Sequence, residues 1–362
     1  MKFTYKKGMG IGGWLTNYKR FNVLPMDKRL ELTIGDYEHF ETYITEWDVI
    51  NIKNMGLDHI RLGFDQIVLE EKPFVYREQT MRLLEDFVKM CERHGLGIVL
   101  NLHKCIGNYC DIEESVTLFD SAELQNRFVG LWLELERRFA NKENVIFELL
   151  NEVRNIEPDL WNNLAERTIN EIRKLNKERL IVVGTVDWNN PNKLHTLKVF
   201  DDENVIYTFH VYDPAEFTHQ RGVLQWAHLY YNRKMEYPGD IQRYRDFYEV
   251  VHNNPYAYSH IDIMDINYMR EIFEPVKEFK RAHPDKILWC GEFGTIRHAD
   301  MRSRENWMRD VITLCQENDV PYSVWNYLST PNDGNRFSLV DDDTREILSG
   351  EMLKIINGDV KN

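Results

Sequence analysis

Short apolar runs alternate along this chain with longer segments in which apolar residues recur at helical spacing. Residues 96–103 are almost continuously apolar, which is typical of a strand buried on both faces. Residues 77–94 before them show helical spacing, and Gly95 suits the end of that helix. Because this unit recurs from one end of the chain to the other, the pattern predicts a parallel sheet with crossover helices.

The alternation predicts eight strands and eight helices. The predicted strands cover residues 8–14, 58–64, 96–103, 144–150, 179–186, 204–212, 286–292 and 321–327. The predicted helices cover residues 43–55, 77–94, 121–141, 158–177, 192–200, 267–283, 303–318 and 344–355. This pattern predicts an α/β fold, a (β/α)8 TIM barrel, as a single domain over residues 1–362.

Residues 213–266 interrupt the alternation as an insertion far longer than an ordinary barrel loop. The insertion is rich in Tyr, His, Asn and Asp and follows the sixth predicted strand. Barrel active sites lie at the carboxyl ends of the strands, which is where this insertion begins. Two interpretations stay open: a neutral surface insertion with helices of its own, or a wall of the active site.

Charge and cysteine content narrow the function class. The formal net charge is −14, so the surface repels phosphate backbones and we expect no nucleic-acid partner. Five cysteines, an odd number without repeating spacing, argue against a disulfide framework. Cys105 and Cys110 have no second pair at zinc-site spacing, so we expect reduced thiols and no metal site.

Apolar stretches long enough for a membrane are absent from the sequence. No run of about 18 apolar residues occurs, so we expect no transmembrane helix and no membrane partner. Lys2, Lys6 and Lys7 are not followed by the apolar segment of a secretory signal. We therefore expect a cytoplasmic protein.

Gly8, Gly10 and Gly13 match the GxGxxG spacing of dinucleotide-binding turns. That motif has to follow a strand and open a helix. Residues 14–16 and then Pro25 follow here without helical periodicity, so we reject a nicotinamide cofactor and expect no cofactor. The glycines are instead expected to let the first strand fit a crowded barrel.

Two carboxylates end apolar strands on the active-site face. Glu152 follows the strand predicted at 144–150, and Glu292 ends the strand predicted at 286–292. Taken singly, Glu152 suits an ordinary turn and Glu292 a structural ion pair. At the ends of strands 4 and 7 of one barrel, however, the two face each other across its mouth. Retaining glycoside hydrolases use such a pair, with carboxyl groups about 5–5.5 Å apart.

In these motifs the chain resembles glycoside hydrolase family 5, the cellulase and β-mannanase family, over nearly its whole length. The family's Asn-Glu at strand 4 matches Asn151-Glu152, which implies Glu152 as general acid/base. Its Gly-Glu-Phe-Gly at strand 7 matches residues 291–294, which implies Glu292 as nucleophile. The chain departs from the family at Val153, where proline is usual, and this blurs the subgroup.

Further matches at other strand ends imply a substrate-binding shell. Arg61 corresponds to the strand 2 arginine that orients the nucleophile, and His103 to the strand 3 histidine near the catalytic subsite. His210 and Tyr212 correspond to the strand 6 pair, in which the tyrosine touches the nucleophile. Trp325 corresponds to the strand 8 tryptophan under the sugar ring.

Physical reasoning assigns these and other residues specific contacts. Arg61 can donate two hydrogen bonds to Glu292 and keep it ionised. Asn151 can donate to a sugar 2-hydroxyl, where a hydrogen bond strengthens in the transition state. Trp188, after strand 5, and His219, in the insertion, are further candidates for substrate binding.

The resemblance implies a retaining reaction at a β-1,4 bond between glucose or mannose units, with an oligosaccharide as the partner. If the insertion closes one end of the cleft, an exo-acting β-mannosidase or β-glucosidase on short imported sugars is expected. The alternative is an endo-β-1,4-glucanase or endo-β-mannanase with an open cleft. A sugar-binding protein without catalysis is disfavoured, because both glutamates and their shell are present.

Overall fold

The computed structural model describes residues 3–18, 37–109, 116–154 and 156–360. Lys2, Pro25 and Cys110, which the sequence analysis used, lie outside the described residues. Eight parallel strands close into one barrel in which each strand pairs with its neighbours in chain order. They are β1 Lys7–Ile11, β2 His59–Asp65, β3 Gly97–Lys104, β4 Val145–Glu148, β5 Ile181–Gly184, β6 Val205–Val211, β7 Ile287–Phe293 and β8 Tyr322–Val324.

Helices surround the barrel, and the predicted (β/α)8 fold is confirmed. The main outer helices are Glu46–Asn54, Glu78–Arg93, Ala122–Phe139, Pro158–Leu175, Ile266–Ile272, Glu274–Ala282, Met301–Glu317 and Gly350–Ile356. A 3-10 helix, Pro191–Thr196, occupies the place of the helix predicted at 192–200. Among the described helices, none has both the length and the apolar character needed to cross a membrane.

The outer helices form because each carries one apolar stripe. In Glu78–Arg93, the buried residues Met81, Leu84, Phe87 and Cys91 recur every three or four positions, so they share the face that packs on the barrel. The strands differ from this pattern, since every residue of β2, β3 and β6 is buried. This is the burial expected for strands covered by helices outside and by packed side chains inside.

Helix boundaries moved where local chemistry opposed the apolar pattern. The helix predicted at 267–283 is two helices that meet at Phe273. Pro275 lies in the first turn of the second helix, and its missing N–H prevents one continuous helix. The helix predicted at 344–355 begins only at Gly350, because the side chain of Ser349 caps it by accepting from the Met352 N–H.

The insertion folds into short elements, and its buried apolar side chains belong to the same hydrophobic core as those of the barrel. It contains the helices Ala215–Thr218, Trp226–Tyr231 and Ile241–His252 and an antiparallel pair of short strands, Gly239–Asp240 and Ile263–Met264. Tyr231, Tyr244 and Phe247 are buried in it. The insertion therefore has helices of its own, which both interpretations allow.

Candidate active site

A cleft of about 610 Å³ lies at the carboxyl ends of the barrel strands. Eight of the ten predicted site residues line it: His103, Glu152, Trp188, His210, Tyr212, His219, Glu292 and Trp325. The other two, Arg61 and Asn151, are fully buried. The structure thus places eight of the predicted residues at the cleft and two in the protein interior.

Glu292 is oriented by a local irregularity of β7. The pairing of β7 with β6 shifts register between Cys290 and Glu292, so that Glu292 pairs with His210. Such bulges re-aim side chains beside active sites. The Glu292 carboxylate then accepts hydrogen bonds at both oxygens, from the Tyr212 hydroxyl at 2.6 Å and from Nη1 of Arg61 at 2.5 Å.

Two opposing effects act on the pKa of Glu292. Burial raises its pKa above the ordinary value and the neighbouring Glu152 carboxyl adds to the rise, while the charge of Arg61 and the hydrogen bond from Tyr212 oppose it. Burial also raises the pKa of Tyr212 well above its usual range, and the neighbouring Glu292 charge adds to this rise. Tyr212 therefore stays a phenol and remains a hydrogen-bond donor to Glu292.

Arg61 is bound mainly by a carboxylate that sequence reasoning missed. Its Nε and Nη2 donate to the two oxygens of Glu148, at 2.7 and 2.8 Å, while Nη1 alone reaches Glu292. Nη2 also donates to Oδ1 of Asn151 at 2.6 Å. The predicted pair of hydrogen bonds from Arg61 to Glu292 is therefore wrong, because the bidentate partner is Glu148.

Glu148 left a signal in the sequence. It stands in the otherwise apolar strand β4, and its side chain is completely buried. A buried carboxyl is either paired with a cation or kept neutral by a raised pKa, so a lone glutamate in a barrel strand indicates a search for a buried arginine or lysine nearby. Arg61, a lone cation in β2, is its counterpart.

Glu152 is hydrogen-bonded to His210, and the surroundings of His210 define the protonation state of its ring. Nδ1 of His210 lies 2.9 Å from Oε1 of Glu152, and its Nε2 faces two donors, Nδ2 of Asn189 and Nη2 of Arg61. Burial lowers the pKa of His210 to about 4, so the ring is neutral with one donor and one acceptor nitrogen. Nε2 is therefore the acceptor, and Nδ1–H donates to Glu152.

The two carboxylates lie close together across the cleft. Glu152, His210 and Glu292 each present one side-chain N or O atom within 4.8 Å of the others. Glu152 reaches this position with a φ of +43°, in the left-handed region where non-glycine residues are strained. Because Nδ1 of His210 carries a proton, this nitrogen has no free lone pair for a metal ion. The expected absence of a metal stays a prediction.

Trp325 forms an indole floor in the cleft that Glu152 and Glu292 also line. A Cβ on Gly12 would lie 2.4 Å from the Trp325 ring, and one on Gly294 only 2.0 Å from its carbonyl oxygen. The absence of side chains at these glycines therefore lets two backbone segments press against Trp325. The His103 ring lies parallel to the indole, with 5.3 Å between the centroids and 3° between the planes.

The turn after β5 sends two adjacent side chains in different directions. Asp187, Trp188 and Asn189 all have left-handed φ values, between 55° and 59°. Trp188 lines the cleft with 41% of its surface exposed, whereas Asn189 is buried and contacts His210. A run of three such residues in one turn is a strained arrangement of the kind found at functional sites.

The insertion supplies one wall of the cleft, as one of the two interpretations had it. Asp213, His219 and Trp226 are among its lining residues. The His219 ring packs against Tyr212 and Phe337, with centroid distances of 4.9 and 5.1 Å. Trp226 was missed by sequence reasoning, since a tryptophan within a long insertion carries no strand-end signal.

The cysteine prediction can be checked at four positions. Cys91, Cys105, Cys290 and Cys315 are buried free thiols. Burial raises the pKa of Cys91 and of Cys105 above the ordinary thiol value, so both stay protonated. None of these four takes part in the cleft chemistry.

Comparisons with known proteins agree with this geometry. Residues 27–330 match the family model described as Cellulase (glycosyl hydrolase family 5). Endoglucanase C of Acetivibrio thermocellus is 34% identical over 362 residues, covering 98% of each chain. Cellodextrinase A of Ruminococcus flavefaciens is 32% identical over 309 residues, covering 84% of this chain and 80% of its own.

A solved structure supports the fold. Thermotoga maritima Cel5A, in complex with cellobiose, superposes with a TM-score of 0.74 at 22% identity and covers 97% of both chains. The chain belongs to glycosyl hydrolase family 5, the cellulase family, and it is an O-glycoside hydrolase that acts on a carbohydrate substrate.

Proposed function

We propose that this chain is a retaining endo-β-1,4-glucanase, with Glu292 as nucleophile and Glu152 as general acid/base. The observation that carries the proposal is that one carboxylate oxygen of Glu152 and one of Glu292 lie within 4.8 Å of each other. Retaining enzymes hold their carboxyl groups about 5–5.5 Å apart, whereas inverting enzymes leave about 6.5–9.5 Å for a water molecule.

In the first step, an oxygen of Glu292 attacks the anomeric carbon while Glu152 gives its proton to the departing glycosidic oxygen. Arg61 and Tyr212 hold the Glu292 carboxylate for this attack. His210 donates to Oε1 of Glu152, which puts the acidic proton on Oε2. In the second step, Glu152 takes a proton from water, whose oxygen attacks the anomeric carbon and releases Glu292.

The substrate class rests on the relatives and on the size of the cleft. Endoglucanase C shares 98% of its length with this chain, which favours the endo-acting alternative of the sequence analysis over exo action. A cleft of about 610 Å³ falls within the range of about 300–1,000 Å³ that takes an extended small ligand rather than a single small group. Both curated relatives described above have glucan-related names, endoglucanase and cellodextrinase, so glucan is the proposed polymer.

A second candidate substrate is the cellodextrins, the short soluble glucans. The name of the Ruminococcus relative favours it. The two candidates share every catalytic residue and differ in how long a chain the cleft prefers.

The test is a time course of products from carboxymethyl cellulose and from cello- and manno-oligosaccharides, resolved by chromatography. Early internal fragments and a rapid fall in viscosity are expected, together with products of β configuration by proton NMR. The Glu292→Ala variant should lose at least about 10³-fold in kcat, which corresponds to roughly 4 kcal/mol of transition-state stabilisation. Release of monosaccharide alone would instead establish exo action, and α-configured first products would exclude a retaining mechanism.

A further inference from the structure

Two aromatic side chains of the insertion are held in solvent. Trp226 and Tyr230, on the helix Trp226–Tyr231, have 59% and 67% of their surface exposed. They stand four positions apart, so they share one helix face, and their ring centroids are 6.1 Å apart. Large apolar groups exposed together usually mark a binding surface.

This exposed pair is continuous with the catalytic cleft. Trp226 itself lines the cleft that contains Glu152 and Glu292, and Tyr230 lies one helical turn beyond it. Trp188, also partly exposed, lines the same cleft. A ligand in the cleft therefore meets aromatic faces as it extends toward the insertion.

The barrel order identifies which end of the substrate this is. Glu152, Trp188 and the insertion follow β4, β5 and β6, three consecutive strands. The backbone N–H of Trp188 donates to the carbonyl of Val153, which ties this turn to the Glu152 segment. Because Glu152 protonates the leaving oxygen, the sector of β4 to β6 faces the leaving group.

The opposite sector carries different groups. Trp325 follows β8 and His103 lies near the end of β3; their rings are parallel, and the Trp325 ring lies beside Gly10 and Gly12, in and just after β1. The sugar attacked by Glu292 is therefore assigned to the floor made by Trp325. The units beyond the scissile bond are left to the walls that Trp188 and Trp226 provide.

We propose that Trp226, extended by Tyr230, is the stacking platform for sugar units on the leaving-group side, and that it binds acceptor sugars in the second step. This inference rests on the proposed retaining function. With an acceptor bound there, Glu152 takes the proton of a sugar hydroxyl, the hydroxyl oxygen bonds to the anomeric carbon, and the bond to Glu292 breaks. The product is then a lengthened glycoside instead of a hydrolysed sugar.

The test uses β-cellobiosyl fluoride as donor, because its leaving group is too small to reach Trp226, and methyl β-cellobioside as acceptor. Transfer product and hydrolysed cellobiose are measured together by chromatography. In Trp226→Ala the ratio of transfer to hydrolysis should fall about tenfold, as expected for loss of a main contact residue. Trp226→Phe should retain most of the transfer, and Tyr230→Ala should lose less than Trp226→Ala.

Trp47 offers a matched control, since it is 52% exposed on the outer helix Glu46–Asn54. Trp47→Ala should keep both the hydrolysis rate and the transfer ratio. An unchanged ratio in Trp226→Ala, including equal losses of transfer and hydrolysis, would overturn the platform. So would a wild type that hydrolyses the fluoride without forming transfer products.

A binding measurement separates failure of the platform from failure of the proposed function. Calorimetry of cellohexaose with Glu292→Ala and with Glu292→Ala/Trp226→Ala does not depend on turnover. About tenfold weaker binding by the double variant is expected. Equal affinities, or no binding to either variant, would contradict the platform. A folded wild type that leaves the fluoride intact would instead contradict the retaining glucanase.

Discussion

The barrel mouth around Glu292 and the insertion of residues 213–266 share one cleft, but they differ in how many of their side-chain contacts are made within the protein. In the mouth, both Glu292 oxygens accept hydrogen bonds, and Arg61 donates to the side chains of Glu292, Glu148 and Asn151. In the insertion, Trp226 and Tyr230 leave more than half of their surface to solvent. The polar groups of the mouth are therefore preorganised, whereas the exposed aromatic side chains of the insertion are available to contact a ligand.

The same contrast extends to the charges beneath each region. Arg61 compensates Glu148 and Glu292 in the mouth. Under the insertion, Glu216 is buried and accepts a hydrogen bond from the Tyr258 hydroxyl at 2.6 Å instead of facing a cation. Burial raises the pKa of Glu216 to about 7. The buried carboxylates of the mouth are thus paired with a cation, whereas the buried carboxyl of the insertion is shifted toward its neutral form.

The strongest test of the mouth is Arg61→Met, which leaves Glu148 and Glu292 buried without their cation. Removing one partner of a buried pair destabilises a protein by about 3–5 kcal/mol. Urea denaturation should show this loss, and kcat should fall by about 10²-fold or more because Glu292 is no longer held. A variant as stable as the wild type would show that the network adds nothing to folding.

Arg179→Met is the matched control for Arg61→Met. Arg179 is as buried as Arg61 and is paired with Glu136, outside the cleft lining. Its loss should lower the free energy of unfolding by a similar amount while kcat, measured where the variant is folded, stays near the wild-type value. Equal losses of kcat in both variants would mean that Arg61 acts through stability alone.

A smaller effect is expected from Tyr212→Phe, which removes one hydrogen bond from ionised Glu292. A hydrogen bond to the charged form lowers a carboxyl pKa, so its loss raises the pKa of Glu292 further. Since the reaction needs ionised Glu292, the acidic limb of the kcat/KM profile should move to higher pH by about one unit. Tyr237→Phe, which removes a comparable bond to Asp310, should leave that limb in place.

The last test concerns the insertion, through Glu216→Gln, and affects stability only. The folded-state pKa of Glu216, about 7, lies above its ordinary value of 4.5, so the folded state binds the proton more tightly. Its contribution is therefore fully present below about pH 4.5 and is lost as pH rises to about 7, by at most roughly 3 kcal/mol. Glutamine stays neutral, so the variant should lack this decline in urea denaturation at pH 5 and pH 8.

Glu249→Gln, on the exposed face of the insertion helix Ile241–His252, is the control and should keep the wild-type pH dependence. Identical slopes for Glu216→Gln and the wild type would show that Glu216 titrates with its ordinary pKa. That result would remove the contrast between the two carboxyl environments.

The sequence allowed the barrel to be predicted because its strands are buried on both faces and its helices on one. Apolar runs such as residues 96–103 and spaced residues such as Met81 and Leu84 report that burial directly. The predicted helix boundaries were wrong where a single residue ends or starts a helix, as Pro275 does between two helices. Those effects are local and leave the apolar pattern unchanged.

Sequence reasoning located the cleft residues at strand ends and missed hydrogen-bond partners that come from distant segments. Glu152 and Glu292 follow recognisable strands, so their position on one face was accessible from sequence. The bidentate partner of Arg61 was not, since Glu148 is 87 positions away and the choice between Glu148 and Glu292 depends on side-chain geometry. Trp226 lay in a long insertion of short elements, whose fold no barrel periodicity describes.

The glycines that press on Trp325 also limit how this enzyme can evolve. Any side chain at Gly12 or Gly294 would collide with the Trp325 ring or backbone, so the indole floor tolerates few substitutions at these positions. Helix Trp226–Tyr231 carries no such constraint on its exposed face. Descendants that shift to new polysaccharides are therefore expected to do so by rewriting the insertion, while the floor is inherited intact.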